Sequence, residues 1–446
     1  MKNLKCRGEY ADLFLSRSGS VPLTIILPYP IDESWDHITP EEFQPFFVRA
    51  RTIRGFSLLF ERTEPPAFSC PQLKSLYVEI RLDSQLDKAL VDHNEIKHLS
   101  ARLYDHRDQQ VLLQQINPDH YGPRLRSMHL EDIRISAKTL MTYLLDFVAL
   151  DQLSLRECYD PNHNLDNVIT TLKPSRRRPF SFLSLKNCNN TFIGSFLHPQ
   201  APNGIVGTTD LVVSPEHPDL SYSPSIRRHD LVSTLRTNAS KGIFMYIHEG
   251  GGKTWIETKH NALLYAPIPS YIPTDTIKSV ICTGTRLLES RKFKRFSSLR
   301  ELSFAFAKDG QGNSLGMVLN QTLVSGCPHL TYLCIRLLQT TSKLAKCRPG
   351  YTDDTELILP AFLEDWRSTY KQIFGHVVFE DEVNPERWGF MMDRIEHLVG
   401  TFEVRGNVIQ EEDPELPSME LFELKEKPLP EGAITVDKFS RRASLW

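Results

Sequence analysis

One nine-residue phrase occurs twice in this chain, as Cys70-Pro71-Gln72-Leu73-Lys74-Ser75-Leu76-Tyr77-Val78 and as Cys327-Pro328-His329-Leu330-Thr331-Tyr332-Leu333-Cys334-Ile335. Both read C-P-x-L-x-x-L-x-[VI]: a proline turn, then a short strand with apolar residues at alternate positions. The leucine spacing is that of a leucine-rich repeat. Such repeats stack, and a stack is a binding surface rather than a reaction vessel.

The wider pattern L-x-x-L-x-L, with a ninth position that closes the loop, recurs along the chain. At 40% hydrophobic content, three fixed apolar positions match by chance about once per 16 residues, so a match counts only with a turn before it and a helix-like stretch after. Two matches carry a ninth-position cysteine: Leu150, Leu153, Leu155, Cys158, and Phe180, Leu183, Leu185, Cys188. A third, Leu125, Met128, Leu130, Ile133, follows the breaker Gly122-Pro123. Further on come Leu299, Leu302, Phe304 and then Leu330, Leu333, Ile335. Weaker matches are Ile96 with Leu99, Ile277 with Val280 and Cys282, and Val399 with Phe402 and Val404. Helix-like stretches lie between them, over 136–148 and 315–324. The expected fold is α/β, a leucine-rich-repeat-like solenoid or horseshoe with strands on the concave face and helices outside.

The solenoid is expected over 31–410, after a lead-in at 1–30 and before a flexible tail at 411–446. Its repetition is interrupted at about 197–274, where Pro, Gly, Ser and His are frequent and an insertion with irregular repeats is expected. Within it, Ile243–Ile247 and Thr254–Ile256 flank Glu249-Gly250-Gly251-Gly252, the pattern of a β-hairpin.

A net charge of −3 gives no footprint for nucleic acid or an anionic membrane. Eight cysteines stand at 6, 70, 158, 188, 282, 327, 334 and 347 without a C-x-x-C pair, so they read as reduced, buried residues. Met1 to Tyr10 is charged and polar with no apolar run after it, and no 18-residue apolar stretch follows. An intracellular protein, cytoplasmic or nuclear and monomeric, is expected. On that reading the sequons at Asn189, Asn238 and Asn320 are accidental.

Four motifs mimic chemistry. Gly250-Gly251-Gly252-Lys253-Thr254 suggests a phosphate loop, but Ile247 stands where the first glycine belongs and a strand follows. Gly312-Asn313-Ser314-Leu315-Gly316 spells a nucleophile elbow, with His329, His376 and His397 downstream. Residues 307–311 separate it from the preceding strand, so Asn313 or Ser314 is expected to cap a helix; a serine hydrolase using Ser314 is the rival reading. His248-Glu249 lacks the second histidine of a zinc-protease helix. The Lys173–Arg178 run reads as a solvated loop. No catalytic residue, cofactor or metal is assigned.

The segment Tyr10-Ala11-Asp12-Leu13-Phe14-Leu15-Ser16-Arg17-Ser18-Gly19-Ser20-Val21-Pro22-Leu23-Thr24-Ile25 resembles the junction after the F-box in the large group of mushroom-type fungal F-box proteins. There, L-x-R-S-G ends a helix, x-P-L and an extended strand follow, and C-P-x-L starts with degenerate leucine-rich repeats fill the rest. The resemblance implies substrate recognition for a cullin-type ubiquitin ligase, with a protein partner on the concave face. The F-box itself, a helical module of about forty residues, is not visible, so the adaptor is implied as a partner only where an F-box precedes Met1. A stand-alone scaffold without a ubiquitin link is the alternative. Near the end, Arg441-Arg442-Ala443-Ser444-Leu445 resembles the site of basic-directed kinases. Phosphate on Ser444 would add about −1.5 to −2 charge beside two arginines.

Overall fold

The computed structural model describes residues 16–17, 19–26, 40–54, 67–80, 90–91, 95–103, 113, 116–160, 180–189, 192–193, 210–215, 232–238, 243–257, 274–283, 296–307, 315–338, 352–381, 389–406, 417 and 434–435. The fold is mixed α/β on open, mostly parallel sheet. The chain forms two compact units, Met1–Thr208 with Pro417–Trp446, and Thr209–Leu416.

In the first unit the strands are β1 (Leu23–Ile26), β2 (Ala50–Arg54), β3 (Phe68–Ser69), β4 (Ser75–Ile80), β5 (Leu90–Val91), β6 (His98–Leu103), β7 (Ser127–Glu131), β8 (Gln152–Arg156) and β9 (Phe182–Cys188). Apart from β3 and β5, which pair with each other, they form parallel neighbours in chain order. The register aligns Leu76, Leu99, Met128, Leu153 and Leu183 in one column and Val78, Ala101, Leu130, Leu155 and Leu185 in the next. Every one of these is buried. Alternation along each strand sends them to one face, and stacking joins them into a continuous core.

The ninth-position residues close the turn as expected. Asp132, Glu157 and Asn187 take left-handed backbone (φ 63, 54 and 53), which turns the following Ile133, Cys158 and Cys188 inward, all fully buried. The stacking continues through these turns: Asp132 N–H donates to the Arg156 carbonyl (2.9 Å) and Glu157 N–H to the Lys186 carbonyl (2.9 Å). Buried Asp160 adds a tie between rows, its carboxylate accepting the Ala137 N–H at 2.9 Å. That N–H lies at the start of the helix Ala137–Leu144, where Ser136 is the N-cap.

The second unit holds β10 (Asp210–Pro215), β11 (Val232–Asn238), β12 (Ile243–His248), β13 (Lys253–Glu257), β14 (Ser279–Thr283), β15 (Glu301–Ala307), β16 (Tyr332–Leu338), β17 (Phe374–Asp381) and β18 (Val399–Arg405). Their order is β10-β13-β12-β11-β14-β15-β16-β17-β18, antiparallel at β11–β12–β13 and parallel elsewhere. The hairpin stands where the sequence places it. The surrounding stretch, expected as an insertion, supplies four strands to this sheet, because β11 pairs with β14 and β10 with β13. Leu302, Leu333 and Val377 form the core column, against which the helix Thr352–Tyr370 lays Leu359, Phe362, Leu363 and Trp366. Those four recur at the helical period, as an amphipathic helix requires.

The twin phrases fold alike. Leu73 N–H donates to the Cys70 carbonyl and Leu330 N–H to the Cys327 carbonyl, both at 3.1 Å, each a β-turn with proline at its second position. Cys70, Leu73, Leu76 and Val78, and their counterparts Cys327, Leu330, Leu333 and Ile335, are all buried.

One expectation needs correction. The helix expected over 315–324 is two short ones, Leu315–Val318 and Gln321–Gly326. Asn320 breaks it: its extended backbone lets the side-chain oxygen accept from Thr322 and Leu323 N–H (2.9 and 3.3 Å), capping a fresh helix. Within 411–446, β19 (Ile434–Thr435) pairs with β1. The cysteines at 70, 158, 188, 282, 327 and 334 are buried. Cys6 and Cys347 lie outside the described residues.

Candidate functional site

The face opposite the leucine columns carries the polar strand residues, because alternation delivers every second strand residue there. In the first unit one column runs Thr52, Ser75, His98, Ser127, Gln152, Phe182 and the next Tyr77, Ser100, His129, Ser154, Ser184. Neighbouring rows interact across these columns. The Arg54 guanidinium lies over the Tyr77 ring at 5.1 Å. His98 Nδ1 shares a hydrogen bond with the Ser127 hydroxyl (2.7 Å), and His129 Nδ1 with that of Ser154 (2.9 Å). Burial pushes the Tyr77 phenol up to about 12, against the pull of Arg54, so Tyr77 presents a neutral hydroxyl.

Burial first, and Lys97 second, hold His98 below its ordinary 6.5. The folded chain therefore binds that proton less readily than the unfolded chain, and stability rises with pH across the window between the two values. The contribution is intact above 6.5 and is lost as pH falls from there toward the lower folded value. Accordingly, the urea midpoint of the wild type should drop more between pH about 7 and about 5 than that of His98→Gln. Parallel pH profiles for the two proteins would remove this assignment.

In the second unit the register sets Tyr332 beside His376, and Arg336, Glu380 and Arg405 in one row. Tyr332 and His376 meet edge to face, with centroids 5.3 Å apart. His376 Nε2 lies 3.5 Å from Glu403, whose two oxygens accept from Arg405 Nε and Nη2 at 2.8 Å each. Arg405 Nη1 also reaches Glu380 at 3.6 Å, and Arg336 Nε donates to Glu380 at 2.7 Å. The bonds from Arg405 hold the Glu403 carboxyl below its usual range. Both carboxylates are thus paired with guanidinium groups.

The motifs that mimic chemistry resolve as follows. His248 is buried, and its Nε2 shares a hydrogen bond with Thr254 across the hairpin (2.9 Å), which uses the ring structurally. Gly251 takes φ 84 in the hairpin turn, so the glycine run serves the turn. His329 is exposed in the second twin phrase. His397 lends its carbonyl to Arg367 Nη1 (3.2 Å), within an open depression of about 480 Å³ lined also by Glu364, Ser368, Lys371 and Leu398. Ser314, Lys173–Arg178 and Ser444 lie outside the described residues. Among the described residues, no group of three His, Cys, Asp or Glu could hold a metal ion, and no helix is long and apolar enough to cross a membrane.

The polar columns were not assignable one by one from the sequence; the x positions of each L-x-x-L-x-L match name them once the register is known. No protein-family model matches the chain, and no curated protein matches it.

Proposed function

We propose that the chain is a leucine-rich-repeat-like solenoid whose polar strand face recognises a protein partner, and that it acts as a substrate-recognition subunit of a cullin-type ubiquitin ligase. The observation that carries the recognition reading is the pair of columns that hold Tyr77 and His98, in register opposite a leucine core. Aromatic, histidine and arginine side chains held on a rigid ladder lose little entropy on binding, which favours them as contact groups. The ligase link is supported by the likeness of Tyr10–Ile25 to the F-box junction. The extended segment that likeness implies after Pro22 coincides with β1. A cytoplasmic or nuclear monomer fits this role.

Co-precipitation with the purified F-box adaptor tests the ligase link. Where an F-box precedes Met1, the tagged protein that includes it is expected to retain the adaptor, and a Tyr77→Ala/His129→Ala variant to retain it equally while losing the substrate protein. Failure to retain the adaptor would leave a scaffold without a ubiquitin link.

A further inference from the structure

Immediately before Thr52, Ser75, His98 and Ser127 stand Arg51, Lys74, Lys97 and Arg126, so each of four successive rows in the first unit places a cation at the same position. Their backbones are aligned: Lys74 N–H donates to the Arg51 carbonyl (2.9 Å), Lys97 N–H to that of Lys74 (2.9 Å), and Arg126 N–H to that of Lys97 (2.8 Å). Rows in a sheet are about 4.8 Å apart, so the four charges lie along about 14 Å. Arg51, Lys97 and Arg126 are exposed and Lys74 is half-buried. Among the described residues, none of the four forms an ion pair. The row stops at Asp151, which accepts the Ser181 hydroxyl at 2.7 Å.

Like charges side by side on neighbouring strands repel, so such a row is unfavourable until an anion lies along it. The second unit shows how the fold answers the same position. Lys278 and Arg300 are aligned by the same backbone bond (2.8 Å), and there Lys278 is met by Glu249 at 2.7 Å. Nothing within the described first unit plays the part of Glu249.

We infer that Arg51, Lys74, Lys97 and Arg126 form a docking track for an acidic segment of a partner protein, bound in extended conformation. This rests on the protein-recognition reading above and names the chemistry of the partner. An extended chain repeats its side chains on one face about every 6.7 Å, so three carboxylates at alternate positions match the length of the row. A nucleic acid fits less well. The chain carries a net charge of −3, and four cations fall short of the six to ten phosphate contacts that give nucleic acid its strong salt-dependent binding.

The test uses the full-length chain and a fluorescein-labelled decapeptide of alternating Glu and Ser, followed by fluorescence anisotropy at low salt. A Lys–Ser decapeptide and a ten-nucleotide oligothymidylate serve as comparisons. The Glu–Ser peptide is expected to bind and to lose about tenfold or more in affinity with Lys74→Glu/Lys97→Glu. The neutral pair Lys74→Gln/Lys97→Gln should give a smaller loss in the same direction, and Arg300→Glu in the second unit should bind as the wild type does. Unchanged affinity in both Lys74/Lys97 variants, or no binding of the Glu–Ser peptide, overturns the inference. Tighter binding of the oligothymidylate would overturn it as well and make the row a nucleic-acid surface. The adaptor experiment is independent of these outcomes, so adaptor retention without any wild-type binding of the Glu–Ser peptide removes the track alone.

Discussion

Glu380→Ala should lower the free energy of unfolding by about 3–5 kcal/mol, the usual consequence of removing one partner from a buried ion pair. Glu380 is 1% exposed and Arg336 8%, so the stranded guanidinium has little water to turn to. The size of the loss comes from that uncompensated charge, not from the attraction in the intact pair. Replacing both partners, Glu380→Leu with Arg336→Leu, should therefore restore most of the lost stability, since hydrophobic replacements of buried pairs are often neutral or stabilising. Arg405 limits this recovery: its side chain is 30% exposed and keeps Glu403 as a partner. Urea unfolding of the three proteins decides the matter. A Glu380→Ala cost under about 1 kcal/mol would mean that the pair behaves as a surface salt bridge.

Leu76→Ala and Leu333→Ala should each cost about 2–5 kcal/mol, as truncation of a fully buried leucine does. Both residues are 0% exposed and occupy the same place in the twin phrases, one in each compact unit. Leu357, 66% exposed on the long helix, is the control, and Leu357→Ala should stay within about 0.5 kcal/mol. Hydrogen exchange adds location: Leu333→Ala should speed exchange in β14 to β18 first, because its neighbours in the core column are Leu302 and Val377. A large cost at one leucine and a small cost at the other would break the equivalence of the two phrases.

The aromatic and charged columns show where sequence reading stops. Row spacings of 23, 29, 25 and 30 residues separate Leu76, Leu99, Met128, Leu153 and Leu183. With no constant period, Arg336 cannot be matched to Glu380 by arithmetic, since the two stand 44 positions apart with a long helix between them. The same irregularity hid the row from Arg51 to Arg126. Those cations are unremarkable along the chain and become a feature only when the backbone bonds align them. Local chemistry misled in one place. The apolar pattern over 315–324 reads as one helix, but Asn320 satisfies two backbone N–H groups better by starting a second.

By itself the sequence determined the strands of the matched repeats and of the hairpin, their inward faces and the buried turns, because proline turns, alternation and ninth-position residues act over fewer than ten positions. Leu73, Leu76, Leu330, Leu333, Cys158 and Cys188 could be assigned to the core on that ground alone, and the hairpin at Gly251 as well. Only the tertiary structure decided which strand lies beside which and in what register, that the stretch around β10 to β13 joins the second sheet, and which polar side chains meet. Those outcomes depend on hydrogen bonds and charges between residues tens of positions apart. The loops between them vary in length at little thermodynamic cost, so nothing in the linear spacing records the pairing.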